Sequence, residues 1–160
     1  MHELLRLRDP GRAAPEDLPD VNVWIALVHA GHPHHARARL WWAQRQGQVW
    51  FCRVTMLGLV RLLTQPRVMG EAVLGSAGAL ALYDNLAARP GVGLCAEPAG
   101  CEALYRRLVD AELPPRLLTD AYLCAFAVSA GLRLVTFDRD FSRFPGLHRL
   151  DLGANPGGDH

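Results

Sequence analysis

Short apolar segments typical of β-strands alternate with helix-like segments along most of this 160-residue chain. Strands are predicted to end at Asp20 and to cover residues 49–52, 92–95, 132–136 and 147–152. Between them, apolar residues recur at helical spacing, which predicts helices over 21–29, 34–46, 55–63, 71–88, 98–110 and 120–130. Strands that alternate with helices form a parallel sheet covered on both faces. The predicted fold is therefore a three-layer α/β domain with a central, mostly parallel sheet. It spans residues 18–152, between a flexible N-terminal arm (1–17) and a flexible tail (153–160).

Several residues are expected to mark helix ends. Thr55 and Thr119 are predicted N-caps, because their hydroxyls can accept hydrogen bonds from free backbone amides. Pro66 is expected to end the helix that begins near Thr55, and Gly131 to stop the apolar helix that begins at Asp120.

Three aspartates stand where predicted strands end: Asp20, Asp120 (at the start of the helix before the fourth strand) and Asp138. In open α/β sheets, ligands bind outside the carboxyl ends of the strands. Carboxylates gathered there repel one another unless a cation neutralises them, and hard oxygen ligands suit Mg²⁺ or Mn²⁺. Each aspartate alone is equally consistent with a helix cap or a solvated turn.

All 17 basic residues are arginine, and the net charge is +1. A chain without lysine excludes P-loop nucleotide hydrolases, which place a lysine on the phosphates. With no strong overall field, a nucleic-acid partner would be held by a local patch. Arg61, Arg139 and Arg143 lie near the acidic segments and are the candidates for contacts with RNA phosphates.

The four cysteines form no CxxC pair, and no apolar run is long enough to cross a bilayer. The first residues also lack the apolar stretch of a signal peptide. We therefore expect a cytoplasmic protein with reduced thiols and no membrane partner. His29, His32, His34 and His35 invite a zinc interpretation, but no cysteine lies nearby to complete a tetrahedral set.

Five segments together resemble the PIN-domain family, in particular the VapC-type ribonuclease toxins of toxin–antitoxin pairs. They are Leu18-Pro-Asp-Val-Asn-Val-Trp-Ile-Ala-Leu27, His32-x-x-His35, Val54-Thr-Met-Leu-Gly-Leu-Val-Arg61, Leu118-Thr-Asp-Ala-Tyr122 and Leu134-Val-Thr-Phe-Asp-Arg-Asp-Phe141. The resemblance covers residues 18–152. It implies a PIN-like fold and metal-dependent endoribonuclease activity with Mg²⁺ (or Mn²⁺). It also implies three partners: an RNA substrate (tRNA, rRNA or mRNA), a cognate antitoxin and a second copy of the chain.

Carried over by motif, the resemblance makes Asp20, Asp120 and Asp138 the catalytic and metal-binding residues. Asn22 and Thr136 match supporting polar positions, and Asp140 is a further supporting acid. The family usually has a glutamate directly after the threonine of the third segment, where this chain has Met56. An alternative is therefore a catalytically weakened PIN module that acts through RNA or antitoxin binding. Receiver-like and dehalogenase-type phosphoryl-transfer domains fit poorly, because both use a lysine.

Overall fold

Five parallel strands form one central sheet. The structure is a computed structural model that describes residues 13–153, so most of the predicted arm and the tail from residue 154 lie outside it. The strand order is β3-β2-β1-β4-β5, and each neighbouring pair is parallel. The strands are β1 (Asp17–Pro19), β2 (Val49–Phe51), β3 (Val92–Leu94), β4 (Arg133–Thr136) and β5 (Arg149–Asp151). This confirms the predicted parallel α/β fold.

Within residues 13–153, seven α-helices cover the sheet. They are α1 (Val21–Val28), α2 (His35–Gln44), α3 (Arg53–Leu63), α4 (Pro66–Met69), α5 (Ser76–Ala87), α6 (Cys101–Leu108) and α7 (Leu118–Ala130). Short 3₁₀ turns occupy Gly70–Ala72, Pro115–Leu117 and Arg139–Arg143. Within residues 13–153, no helix combines the length and apolar character needed to cross a membrane.

Two hydrophobic cores lie on opposite faces of the sheet. Neighbouring residues of β4 divide between them, since successive side chains of a strand point to opposite faces: Val135 joins the core under α1, α2, α3 and α5, and Leu134 joins the core under α6 and α7. The helix α7 is apolar almost all round, as expected for a helix buried against both the sheet and a neighbouring helix. The molecule therefore has the predicted three layers.

Two predicted helix starts were wrong by a few residues. The helix α3 begins at Arg53, because Cys52 is its N-cap and Thr55 closes a reciprocal capping pair from the third helical position. The helix α7 begins at Leu118, directly after a 3₁₀ turn, so Thr119 is not its cap. The predicted end of α3 at Leu63 is confirmed, and Pro66 lies just beyond it as the first residue of α4. Gly131 does stop α7, with a φ of 67°.

The sheet begins one residue before the predicted boundary, at Asp17. This carboxylate is only 2% exposed. It accepts hydrogen bonds from Arg133 Nε (2.7 Å) and Nη2 (3.1 Å) on β4 and from Trp41 Nε1 (3.0 Å) on α2. A buried charge is tolerated when it is paired and hydrogen-bonded. Asp17 therefore ties β1 to the neighbouring strand and to α2, a contact that joins residues far apart in the sequence.

We expect Arg133→Met to destabilise the protein by about 3 kcal/mol, because it leaves the Asp17 charge buried without its cation. The measurement is the free energy of unfolding in urea. The matched control is Arg106→Met, which removes the exposed i,i+4 pair with Glu102 and should cost less than about 0.5 kcal/mol. Equal losses in the two variants would contradict the role given to Asp17.

Candidate active site

A cleft of about 390 Å³ opens where β1 and β4 end. Strands β2 and β3 lie to one side of β1, while β4 and β5 lie to the other. This is a topological switch point, the place where open parallel sheets form ligand sites. The lining residues are Asp20, Val21, Asn22, Val54, Thr55, Leu57, Gly58, Arg61, Thr119, Asp120, Leu123 and Asp138. The structure therefore brings the three predicted acids to one cleft.

Asp20 lies deepest in the cleft. It is the residue between β1 and α1, and only 5% of it is exposed. Its pKa is raised from 3.8 to about 6, mainly by burial and to a smaller extent by the charge of Asp138. The hydroxyl of Thr136 donates a hydrogen bond to Asp20 Oδ2 (3.3 Å) and offsets part of this increase. Asp20 is thus a carboxylate whose charged form lacks a compensating cation.

Asp120 is the third residue of α7 and is half-buried in the cleft wall. Desolvation raises its pKa to about 7, with further contributions from the charges of Asp20, Asp138 and Asp140. Arg116 acts in the opposite direction but does not cancel them. The carboxylate is therefore close to half-protonated at neutral pH. Such a group can exchange protons with substrate or water.

The fully buried Thr136 joins two of the acids. Its hydroxyl oxygen accepts a hydrogen bond from the backbone amide of Asp138 (2.9 Å) while it donates to Asp20. Asp138 in turn accepts a hydrogen bond from the amide of Asp140 at 2.8 Å. The end of β4 and the following turn are thereby held in one arrangement, which supports the predicted role of Thr136.

Asp140 does not line the cleft. Its carboxylate accepts a hydrogen bond from Arg116 Nη1 at 2.6 Å, and this bond raises the pKa of the arginine. The charges of Asp138 and Asp120 also act on Arg116. Sequence reasoning missed Arg116, because its relation to the acids exists only once α7 and β4 have packed. Asp140 is therefore paired with a cation at the rim of the acid group.

The remaining polar candidates divide between cleft and rim. Asn22 and Arg61 line the cleft, on α1 and α3. Arg139 and Arg143 are exposed on the turn after β4 and do not contribute to the cleft wall.

Met56 is not among the residues that line the cleft. It is half-buried, packs against the core under α1 and α3, and has its sulfur 3.8 Å from Arg53 Nη1. The side of α3 that faces the cleft carries Gly58, at which an added Cβ would lie 3.0 Å from Val21 Cγ2. Because glycine has no side chain, the cleft wall keeps open space at position 58 that a larger residue would fill.

The histidines between α1 and α2 have structural partners. His32 Nδ1 accepts the amide of His34 (3.0 Å), and His35 Nδ1 donates to the carbonyl of Ala26 (2.7 Å). The ring of His34 stacks on Phe137, with centroids 4.5 Å apart. In the part of the chain that the structure describes, no group of three or more His, Cys, Asp or Glu side chains is placed to hold a metal ion as a set.

The acidic cleft nevertheless fits a hard cation. Mg²⁺ commonly binds through one or two carboxylates and keeps several of its waters, so it needs no closed protein cage. Burial and repulsion between the acids raise the pKa values of Asp20 and Asp120, and a bound cation would offset both effects. The donor chemistry is therefore compatible with a partly hydrated divalent cation.

We expect the Asp20→Asn variant to gain stability over the wild type as pH rises in the absence of metal. Because its pKa is raised, Asp20 binds a proton more tightly in the folded state, so the wild type loses stability between pH 3.8 and about 6. This pKa increase corresponds to roughly 3 kcal/mol. Urea unfolding in EDTA from about pH 4 to about pH 8 measures the difference. Asp84→Asn, an exposed control on α5, should follow the wild type. A constant difference for Asp20→Asn across this range would contradict the buried charge.

Comparisons with known proteins agree on one family. The PIN domain model matches residues 18–147. Ribonuclease VapC41 of Mycobacterium tuberculosis is 38% identical over 137 residues, which cover 81% of this chain and 94% of that protein.

Solved structures show the same fold at lower identity. VapC20 of M. tuberculosis, described as a sarcin–ricin loop cleaving toxin, has a TM-score of 0.62 with 23% identity over 79% of this chain and 92% of its own. VapBC-1 from nontypeable Haemophilus influenzae also has a TM-score of 0.62, with 14% identity over 87% of this chain and 99% of its own. By sequence and by fold, this chain belongs to the PIN-domain family, among its VapC-type members.

Proposed function

We propose that the protein is a metal-dependent endoribonuclease and the toxin of a toxin–antitoxin pair. The observation that carries this proposal is the cleft at the switch point of the sheet, where Asp20, Asp120 and Asp138 converge. The raised pKa values of two of these acids support the binding of a cation. The identity to ribonucleases such as VapC41 supports RNA as the substrate class.

Asp20, Asp120 and Asp138 would hold Mg²⁺ or Mn²⁺. When bound, the ion lowers the pKa of a coordinated water and stabilises negative charge on the phosphate. Asp20 and Asp138 are fixed by Thr136, which makes them the pre-positioned ligands. Asn22, beside them in the cleft, supplies an amide for orienting a carboxylate or a substrate oxygen.

Asp120 is the acid best suited to accept a proton from the attacking water. Its pKa in the metal-free protein is about 7, higher than the value of about 6 for Asp20, so Asp120 holds a proton more readily than Asp20. Its half-buried position leaves a carboxylate oxygen accessible from the cleft. Asp20 and Asp138 are held more firmly and would act only as ligands, whereas Asp120 would combine both roles.

Arginines at two sides of the cleft would bind the RNA backbone. Arg61 lines the cleft itself. Arg116 lies at the rim, paired with Asp140 but still 65% exposed. Phosphate contacts from such residues position the substrate without reading its sequence. Arg139 and Arg143 would contribute only to the outer path of the strand.

An antitoxin is the proposed protein partner. VapBC-1 is a toxin–antitoxin complex with the same fold. The acidic cleft provides a reason for inhibition, since a basic side chain of the antitoxin inserted among the acids would supply the missing positive charge. We also propose a homodimer and a cytoplasmic location.

We expect wild-type protein with Mg²⁺ or Mn²⁺ to cleave bacterial RNA, and EDTA to stop the cleavage. Asp20→Asn and Asp120→Asn should each reduce the rate by at least ~100-fold, because they remove a metal ligand or the proton acceptor. The assay follows cleavage of total bacterial RNA on denaturing gels. The exposed Asp84→Asn variant is the control and should retain full activity. Equal cleavage by wild type and Asp20→Asn would overturn the assignment.

The second candidate function is a PIN module with weakened catalysis, which the methionine at position 56 favours. If the methionine alone weakens a working site, Met56→Glu should raise the rate of cleavage. Because Met56 packs on the core and lies outside the cleft wall, we expect no increase, with Met56→Leu as the control. A clear increase in cleavage with Met56→Glu would show that position 56 reaches the acids.

A further inference from the structure

A second hollow continues from the acidic cleft along α6 and α7. Val54 and Thr119 line both the cleft and this smaller space of about 220 Å³. Its remaining walls are Tyr105, Leu118 and Tyr122. Thr119 directly precedes Asp120, so the hollow begins beside the proposed proton acceptor. A ligand that occupies the cleft can therefore extend into it.

Two tyrosines form a corner in this hollow. The rings of Tyr105 and Tyr122 have centroids 5.9 Å apart and lie at 76° to each other. The hydroxyl of Tyr122 donates a hydrogen bond to Glu97 Oε1 at 2.6 Å, which fixes the ring. Leu118, 38% exposed, adds an apolar surface. A planar ring placed here would stack on one tyrosine and meet the other at its edge.

The charges around the corner are unsuited to a phosphate. Beyond the tyrosines lies a larger hollow of about 530 Å³, lined also by Glu97, Glu102, Arg106 and Val109. Arg106 is the only cation lining either hollow within the described chain, and it is engaged by Glu102 at 2.8 Å. Glu97 uses only Oε1 to accept from Tyr122, so its second carboxylate oxygen can accept from an N–H donor of a neutral base.

We infer that the Tyr105–Tyr122 corner is a nucleobase subsite. It takes an unpaired base of single-stranded RNA while the neighbouring phosphate lies in the acidic cleft. Sequence-tolerant recognition of single strands relies on stacking of bases on aromatic side chains, and unstacked bases are what RNA-binding proteins commonly recognise. This inference rests on the proposed ribonuclease function and extends it to the shape of the substrate.

The test combines protein variants with RNAs that lack one base. Short single-stranded RNAs with an abasic nucleotide at each position in turn are titrated by fluorescence anisotropy in Ca²⁺, and their cleavage is followed separately in Mg²⁺. The variants are Tyr105→Leu, which removes the ring, and the matched control Tyr105→Phe, which keeps it. Thermal unfolding checks that both variants are folded.

We expect Tyr105→Leu to weaken binding of intact RNA roughly 5- to 100-fold, the range for one stacked base, and Tyr105→Phe to bind like the wild type. One abasic position should weaken binding to wild type by a similar factor and have little further effect on Tyr105→Leu. Such coupling without cleavage would support the subsite while overturning the ribonuclease proposal.

Independent, multiplicative effects of the two changes would overturn the subsite, even if the wild type cleaves RNA normally. Unchanged RNA affinity in Tyr105→Leu, with an altered mass of the protein assembly, would also overturn it. That result would assign the corner to contacts with a second copy of the chain or with a protein partner.

Discussion

The buried carboxylate of Asp20 is the constraint on which the site depends. It stands at the end of the central strand β1, next to β4, where the sheet gives it little water and a neighbouring acid, Asp138. The charged form of Asp20 lowers the stability of the folded protein, as its raised pKa shows. The backbone amides of Val21 and Asn22 and the hydroxyl of Thr136 compensate it only in part. A cation, an antitoxin side chain or a proton can each supply what is missing, so the proposed metal binding, the proposed inhibition and the expected pH dependence have one physical cause.

The parallel sheet and the gathering of three acids were predictable from the sequence. Strand-like and helix-like segments alternate clearly, and parallel strands bring their carboxyl ends to one edge. Helix starts were less predictable, because a cap is chosen by local backbone geometry: Cys52 caps α3 although Thr55 is the more typical capping residue. Asp17 was assigned to an arm, since its partner Arg133 is 116 residues away in the sequence.

Which residues of a helix reach the site depends on how the helix is rotated about its axis, and sequence spacing alone did not determine that rotation. On α3, Gly58 lines the acidic cleft, whereas Met56 packs against the core. Adjacency to Thr55 in the sequence therefore does not by itself place a residue in the cleft wall. The 3₁₀ turn before α7 is packed so that Arg116 meets Asp140. The orientation of α7 places Tyr122 against Tyr105. None of these contacts has a local signal, because each depends on how two distant segments pack.

The most direct test of the central claim is proton release on metal binding. Metal ions bind deprotonated ligands, so a site whose acids are partly protonated must release protons. We predict that calorimetric titration of the protein with Mn²⁺, in buffers of different ionisation enthalpy, shows release of about one proton per ion near pH 6 and almost none near pH 8. Asp20→Asn should reduce this release by roughly half a proton, because Asp20 is about half protonated near pH 6 while Asp120 still contributes. Tight Mn²⁺ binding with no proton release near pH 6 would contradict the account.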